Sequence, residues 1–237
     1  MEEKEVLIEV KNATKKYGVG EATIYALNDV SMKVYKGEFL VILGYSGSGK
    51  STLLNMIGGI DRLDSGEIIF KGKDIAKFKD RELTNYRKNS IGYIFQFFNL
   101  LNDLTVYQNI VISPSAIKDK KEIDKILEKV GLLEKKDSFP RQLSGGQQQR
   151  ASIARALSKE SDMILGDEPT GALDYESGKD VLRLLKEIHK EGRTIVMVTH
   201  TKEIAQLADR VISMKNGKII KETINENPIE DVNSIDW

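Results

Sequence analysis

Gly44-Tyr45-Ser46-Gly47-Ser48-Gly49-Lys50-Ser51 lies between the apolar run Phe39 to Leu43 and the segment Thr52-Leu-Leu-Asn-Met-Ile57. The octet satisfies G-x-x-x-x-G-K-[ST], and a buried strand before it with a helix start after it is the context this pattern requires. Each residue type has its own task. Glycines let successive backbone N–H groups converge on phosphate oxygens where a Cβ would intrude. The helix start, with Thr52 in its first turn, adds the positive end of its dipole. Lys50 supplies a point charge for β and γ phosphates, and the Ser51 hydroxyl a ligand for Mg²⁺. Chance would produce the four fixed positions about once in a hundred chains of this length. The octet therefore predicts a nucleoside triphosphate site.

Outward from the octet, Val6–Val10 and Ser31–Tyr35 alternate as strands, with a turn at Lys36-Gly37-Glu38. Phe39–Leu43 reads as a strand buried on both faces, and Glu67–Lys71 and Ile91–Phe95 as further strands. Between 97 and 142 the pattern turns helical: Ile123, Ile126, Leu127 and Val130 share a face, and Gly131 is a stop signal. Helices at Gln147–Leu157, Ser177–His189 and Lys202–Ala208 then alternate with buried strands at Met163–Leu165 and Ile195–Val198. That alternation predicts an α/β fold with a mostly parallel sheet. Asn216-Gly217 predicts a hairpin through a type I′ turn. The main domain spans 1–223, and the polar tail 224–237 is expected to be loosely held.

Composition removes several function classes. The 36 Lys+Arg balance 36 Asp+Glu, which argues against a nucleic-acid surface. Without cysteine the 237-residue chain has no disulfide, thiolate zinc site or thiol nucleophile. His189 and His200 are the only histidines, so a multi-histidine metal site is nearly excluded. The start Met1-Glu2-Glu3-Lys4-Glu5 is acidic-leaning and unlike a signal peptide, and no lipidation motif is visible. Every apolar run falls far short of the roughly 20 residues that span a bilayer. A soluble, reducing-compartment protein is expected, with any membrane role peripheral and through a partner.

Two further stretches carry chemistry. Met163-Ile-Leu-Gly-Asp167-Glu168 is an apolar strand ending in two carboxylates. Asp167 is placed to hold Mg²⁺, through water, and Glu168 to orient or deprotonate an attacking water. The alternative is a helix-capping acidic pair leading into Pro169; the phosphate loop decides for the first reading. In Leu143-Ser144-Gly145-Gly146-Gln147-Gln148-Gln149-Arg150, Ser144 is a good N-cap and two glycines expose the backbone. This is a second helix start suited to an anion, although in isolation it would pass as an ordinary loop.

In their chain order, 44–51, 143–150 and 163–174, the three stretches resemble the ATP-binding cassette (ABC) ATPase family over about residues 6–220. The resemblance implies a P-loop NTPase with an N-terminal antiparallel β subdomain and an α-helical subdomain, about 97–160, inserted in the core. It implies a head-to-tail dimer holding two ATP molecules with Mg²⁺, each between the phosphate loop of one copy and Ser144, Gly145, Gly146 and Gln147 of the other. Lys50, Glu168 and His200 then form the catalytic set, with His200 contacting the γ-phosphate. Ser51, Asp167 and Gln96 form the metal set, Gln96 also sensing a membrane partner. Tyr17 resembles the aromatic that stacks on adenine, and Gly171–Asp174 the loop that crosses the dimer interface. Phe97–Leu101 would line the docking groove for a permease. His189 has no such context and is expected to be a solvated surface residue.

Phe95-Gln-Phe-Phe-Asn-Leu100, the triple glutamine and Asp167–Asp174 are similar to one branch of that family. It includes macrolide exporters, lipoprotein-release ATPases, the cell-division ATPase, and antimicrobial-peptide exporters or sensors. The branch implies an ATPase at the cytoplasmic face of the membrane, driving a separate integral-membrane permease with a large extracytoplasmic domain. The expected role is export or extraction of a hydrophobic compound, peptide or lipoprotein. Tyr45 stands where the branch usually has proline, Gly166 where alanine is common, and the segment from Gln96 to Leu143 is somewhat short. The alternative, a soluble cassette acting on nucleic acid or ribosomes, usually needs a second cassette or a long coiled-coil insertion, and neither fits this length. A kinase or GTPase leaves the Ser144–Gln147 stretch unexplained, and the guanine-reading Asn-Lys-x-Asp is absent.

Overall fold

Val6–Tyr17 (β1) and Ile24–Tyr35 (β2) pair antiparallel over 12 residues each, well beyond the alternating segments that mark them in the sequence. The reason is a pair of irregularities. The register shifts between Val10 and Ala13, where Asn12 takes φ 48°, and Asp29 opposite takes φ 58°. A bulge flips the side-chain alternation past that point, so the period-two signal stops while the strand continues. Phe39–Leu43 (β3) follows with the expected bounds, then Lys50–Ile57 (α1), Ser65–Phe70 (β4) and the short Lys73–Asp74 (β5). The order β2-β1-β4-β5 makes an antiparallel sheet. The computed structural model describes residues 4–18, 20–113 and 115–237, so the first three residues of the acidic start lie outside the described residues.

The chain continues through Asp80–Ser90 (α2), Ile91–Ile94 (β6), Val106–Val111 (α3), Lys120–Lys129 (α4) and Gly145–Leu157 (α5). Met163–Asp167 (β7), Tyr175–Lys190 (α6), Thr194–Thr199 (β8), Lys202–Ala205 (α7), Arg210–Lys215 (β9) and Lys218–Ile224 (β10) complete it. The second sheet has the order β10-β9-β3-β8-β7-β6, all neighbours parallel except the β9–β10 hairpin. At that hairpin Asn216 and Gly217 take φ 49° and 73°, as a type I′ turn requires.

Period-two alternation builds two cores from the same strands. Phe39, Val41, Ile195 and Met197 face the helices α5 and α6. Leu40, Ile42, Val196 and Val198 face α1 and the antiparallel sheet. Both faces of β3 and β8 are therefore covered, and their carboxyl ends are left to carry chemistry. Arg210 ties the two sheets together through buried Glu38, at 2.6 Å, and the Lys33 carbonyl, also at 2.6 Å.

Two expectations are corrected here. Residues 224–237 are not loosely held: Val232 and Ile235 are buried, and Trp237 packs 5.1 Å from the Tyr175 ring and against Gly178 of α6. The segment is polar on average, but Ile229, Val232, Ile235 and Trp237 all reach the helical core, and Glu230 pairs with Lys186 and Lys190. His189 is not a solvated surface residue. Its Nε2 lies 3.0 Å from the Gly37 carbonyl and 3.1 Å from Asp209, with its ring tilted against Phe39. Its partners lie at the start of β3 or just before β3 and β9, which a helical-wheel reading of α6 cannot see.

Candidate nucleotide site

The loop from Gly44 to Lys50 leaves β3 and turns directly into α1. Gly49 caps the helix at φ 99°, and a Cβ there would lie 2.2 Å from the Ala26 carbonyl oxygen. A Cβ on Gly44 would meet the Met214 carbonyl at 2.5 Å and Ser48 Oγ at 2.6 Å. Glycine is thus required where the loop presses on β2 and β9. The loop encloses an open cleft of about 580 Å³ lined by Tyr45 to Thr52 with Gln96, Glu168 and His200.

Charged groups from three strand ends converge on this cleft. Lys50 is 4% exposed; its Nζ donates to the Tyr45 carbonyl at 3.0 Å and lies 3.8 Å from Glu168 Oε1. Ser51 Oγ donates to Asp167 Oδ1 at 2.8 Å. Burial pushes the Asp167 carboxyl above the ordinary carboxylate range, with Glu168 adding to the push and Ser51 and Lys50 opposing it. Glu168 adopts φ 43°, a left-handed conformation rare outside glycine. Its amide donates to the Val198 carbonyl at 3.1 Å, and its Oε2 lies 3.0 Å from His200 Nδ1. Such local strain is held by the surrounding hydrogen bonds and turns the carboxylate toward the loop.

Gln96 reaches the same wall from the end of β6, its Nε2 beside Gly171 and Glu168. Behind it, the buried Gln149 amide donates to the carbonyls of Phe95, at 3.3 Å, and Pro169, at 2.7 Å. One side chain of α5 thereby joins the residue before Gln96 to the residue after Glu168. Arg155, two turns further along α5, clamps the carbonyls of Phe98 and Asn99, both at positive φ. The middle of Phe97–Leu101 is held in this way, while Phe97 is 74% and Leu101 48% exposed. Sequence reading missed Gln149, although it sits four residues before buried Ile153 on the same helix face.

Ser144 caps α5 by accepting from the Gln147 amide, and the Gln147 side chain returns the bond to the Ser144 amide at 2.9 Å. Gly146 must lack a Cβ, which would lie 2.6 Å from Ser177 Oγ and 2.8 Å from Ser177 Cβ. Asp174 caps α6 by accepting from the Ser177 amide at 3.0 Å, and that bond holds its carboxyl below the ordinary range. None of Ser144, Gly145, Gly146, Gln147 and Asp174 lines the cleft of their own chain. Tyr17 also lies off the cleft wall. It stands at the end of β1 with its hydroxyl donating to Asp61 at 2.8 Å, next to Thr52 of α1.

Residues 27–171 match the family described as ABC transporter. This chain belongs to the ABC transporter family. Relatives include the macrolide export ATP-binding/permease protein MacB of Mannheimia succiniciproducens, 43% identical over 231 residues, or 95% of this chain and 36% of that protein. MacB of Pasteurella multocida is 45% identical over 222 residues, or 92% of this chain and 34% of that protein. The chain spans about a third of the length of these curated relatives.

Whole-cassette likeness comes from solved structures. An ATP-binding cassette solved as a dimer in a post-hydrolysis state with ADP and Pi matches with TM-score 0.83 and 39% identity, covering 93% of this chain and 99% of that one. A dimeric bacterial ABC transporter cassette matches with TM-score 0.84 and 40% identity at the same coverage. The P-loop NTPase fold expected from the sequence, with its antiparallel sheet, mostly parallel sheet and helices, is the fold of these cassettes.

Proposed function

We propose that this ABC cassette binds ATP with Mg²⁺, closes head to tail on a second copy, and hydrolyses the ATP to drive export through an integral-membrane permease. The single observation carrying this reading is the convergence of Lys50, Ser51 with Asp167, Glu168, Gln96 and His200 on one open cleft around the phosphate loop. The cleft also fits its ligands chemically. Ser48 Oγ is buried without a hydrogen-bond partner, and the Lys50 ammonium rests on a backbone carbonyl, so both are available to phosphate oxygens. Ser51, Asp167 and Gln96 offer the hard oxygen ligands that would hold Mg²⁺.

Mg²⁺ held by Ser51, Asp167 and Gln96 would supply charge neutralisation for the phosphates. The amides of the loop and the Lys50 ammonium hold those phosphates at the start of α1. Glu168 accepts a proton from the attacking water as its oxygen bonds the γ phosphorus and the bond to ADP breaks. His200 holds the Glu168 carboxylate from the other side and meets the γ-phosphate. Ser144 to Gln147 stand apart from the cleft, which supports their use by the second copy's nucleotide, with Asp174 at the interface between copies. ATP binds the closed pair more tightly than the open one and so shifts that equilibrium.

The exposed Phe97 and Leu101, next to Gln96, form the surface that meets the permease. Likeness to MacB, a macrolide export ATP-binding/permease protein, supports export through a permease partner. The branch resemblance of Phe95–Leu100 and Asp167–Asp174 supports a permease with a large extracytoplasmic domain, cargo of hydrophobic, peptide or lipoprotein character, and work at the cytoplasmic face of the membrane. Among the described residues no helix is long and apolar enough to cross a membrane. Phosphate release from MgATP by the purified chain tests the catalytic reading. Release that K50A abolishes supports it, and release undiminished in K50A contradicts it.

A further inference from the structure

Tyr17 does not stand alone at the end of β1. Its phenol donates to Asp61 Oδ2 at 2.8 Å, a bond to a charged acceptor and therefore a strong one. Asp61 is itself fixed: Oδ1 accepts from the Arg62 amide at 2.7 Å and from Lys15 Nζ at 3.2 Å. Lys15 is mostly buried and stands 5.2 Å from the centroid of the Tyr17 ring, so its cation occupies one side of that ring. Asp61 belongs to the turn that ends α1, whose Asn55 carbonyl accepts from the Ile60 amide at 2.9 Å. One carboxylate thus joins an exposed aromatic ring to the helix whose first turn carries Lys50 and Ser51.

From this geometry we infer that Asp61 is a positioning residue for the base of the nucleotide, acting through the Tyr17 phenol. The inference rests on Tyr17 being the base platform. A base and its phosphates are separated by a fixed ribose, so a platform tethered to the phosphate helix presents both ends of one ligand in register. The ring is half exposed and contributes little to either core, so packing alone does not fix its direction. With Lys15 on one side, the opposite face is the one offered to a base.

The test compares MgADP with magnesium pyrophosphate, which has the phosphates but no base, by isothermal titration calorimetry on the purified chain. Y17F keeps the ring and loses the tether; D61A loses the acceptor; D61N keeps an acceptor oxygen. Y17F and D61A are each expected to weaken MgADP about 2- to 10-fold, the range for freeing one side chain that binding must then immobilise. Pyrophosphate affinity stays at the wild-type value, D61N retains most of the MgADP affinity, and Y17F/D61A binds no worse than D61A. A parallel loss of pyrophosphate affinity would make Asp61 a structural support and overturn the inference. If Y17A weakens MgADP while Y17F and D61A leave it unchanged, the tether is overturned and the platform stands. If Y17A leaves MgADP unchanged, the platform reading falls and the tether with it.

Discussion

The Nδ1 atom of His200 lies 3.0 Å from Oε2 of Glu168. These are the first residues beyond two adjacent parallel strands, β8 and β7, so sheet register sets their separation. Lys50 faces the other carboxylate oxygen at 3.8 Å. H200A removes one of the two groups that orient Glu168 and the contact proposed for the γ-phosphate, while the phosphate loop is untouched. It is expected to lower kcat about 100-fold, as loss of one preorganised polar group does, with KM for MgATP little changed. Steady-state kinetics check this. A loss carried wholly by KM would assign His200 to ground-state binding.

Asp167 is expected to make the nucleotide-free protein less stable at neutral pH. Burial raises its pKa above the unfolded value. A carboxyl shifted in that direction favours the fold below its unfolded pKa and loses that contribution as pH rises through the folded pKa. D167N keeps an oxygen for Ser51 and removes the buried charge. Thermal denaturation without nucleotide should show D167N above wild type in Tm at pH 7, with the difference shrinking toward pH 4. The same substitution should weaken Mg²⁺-dependent ATP hydrolysis. A lower Tm for D167N at pH 7 would contradict this assignment.

Gln149 joins the Gln96 and Glu168 segments through the Phe95 and Pro169 carbonyls. Q149L preserves the approximate volume but leaves the Pro169 carbonyl unpaired and the Phe95 carbonyl with only the Phe98 amide, at 3.4 Å, an expected loss of about 1–3 kcal/mol in urea unfolding. Because Gln149 Oε1 itself has no partner, leucine also removes a buried orphan, which holds the loss to the lower part of that range. Hydrolysis should fall more in kcat than in KM. Wild-type kcat in Q149L would show that the two segments hold their places without the bridge.

Gly146 is fixed by packing as well as by any contact with nucleotide. In G146A the new methyl meets Ser177 Oγ and Cβ, and rotating the hydroxyl relieves only the first clash. Destabilisation of about 1–3 kcal/mol is expected, as for overpacking elsewhere. S177G should restore stability in the G146A background, measured by denaturant unfolding. Stability restored without hydrolysis would separate the glycine's role at the nucleotide from its role in packing.

The phosphate loop and the limits of β3 were legible because their residue types are dictated locally, by turn geometry and by burial on both faces. Helix α2 was not read, since only Leu83, Tyr86 and Ser90 of its 11 residues are buried and the rest look like a solvated segment. His189 and the tail were misread for another reason: the surfaces that bury them come from residues distant in sequence. The same distance hides Asp61 from Tyr17 and Gln149 from Pro169, because a side chain's partner across the fold leaves no periodic trace. In the site, residue types pointed to the groups that the cleft brings together; the left-handed backbone of Glu168, which sets its aim, emerges only from the packed strand ends.

Asp209 offers a solution test of the corrected His189 environment. Burial works against its ionisation, but hydrogen bonds with His189 and the Phe39 amide outweigh it and hold the carboxyl below its ordinary value. A depressed carboxylate contributes stability above its unfolded pKa and loses it as pH falls through the folded one. D209N should therefore lose stability relative to wild type at pH 7, and the gap should close as the wild type is acidified below pH 4. A gap independent of pH would contradict this account of Asp209.

The central claim, that two copies complete each other's nucleotide sites and Glu168 drives turnover, is tested most directly by sizing E168Q with MgATP. Glutamine cannot take the proton from water, so ATP should persist and hold the closed pair. Light scattering should then give twice the 26.6 kDa of one chain with MgATP, and the single-chain mass without nucleotide. A monomer in both conditions, with ATP bound, would contradict the account.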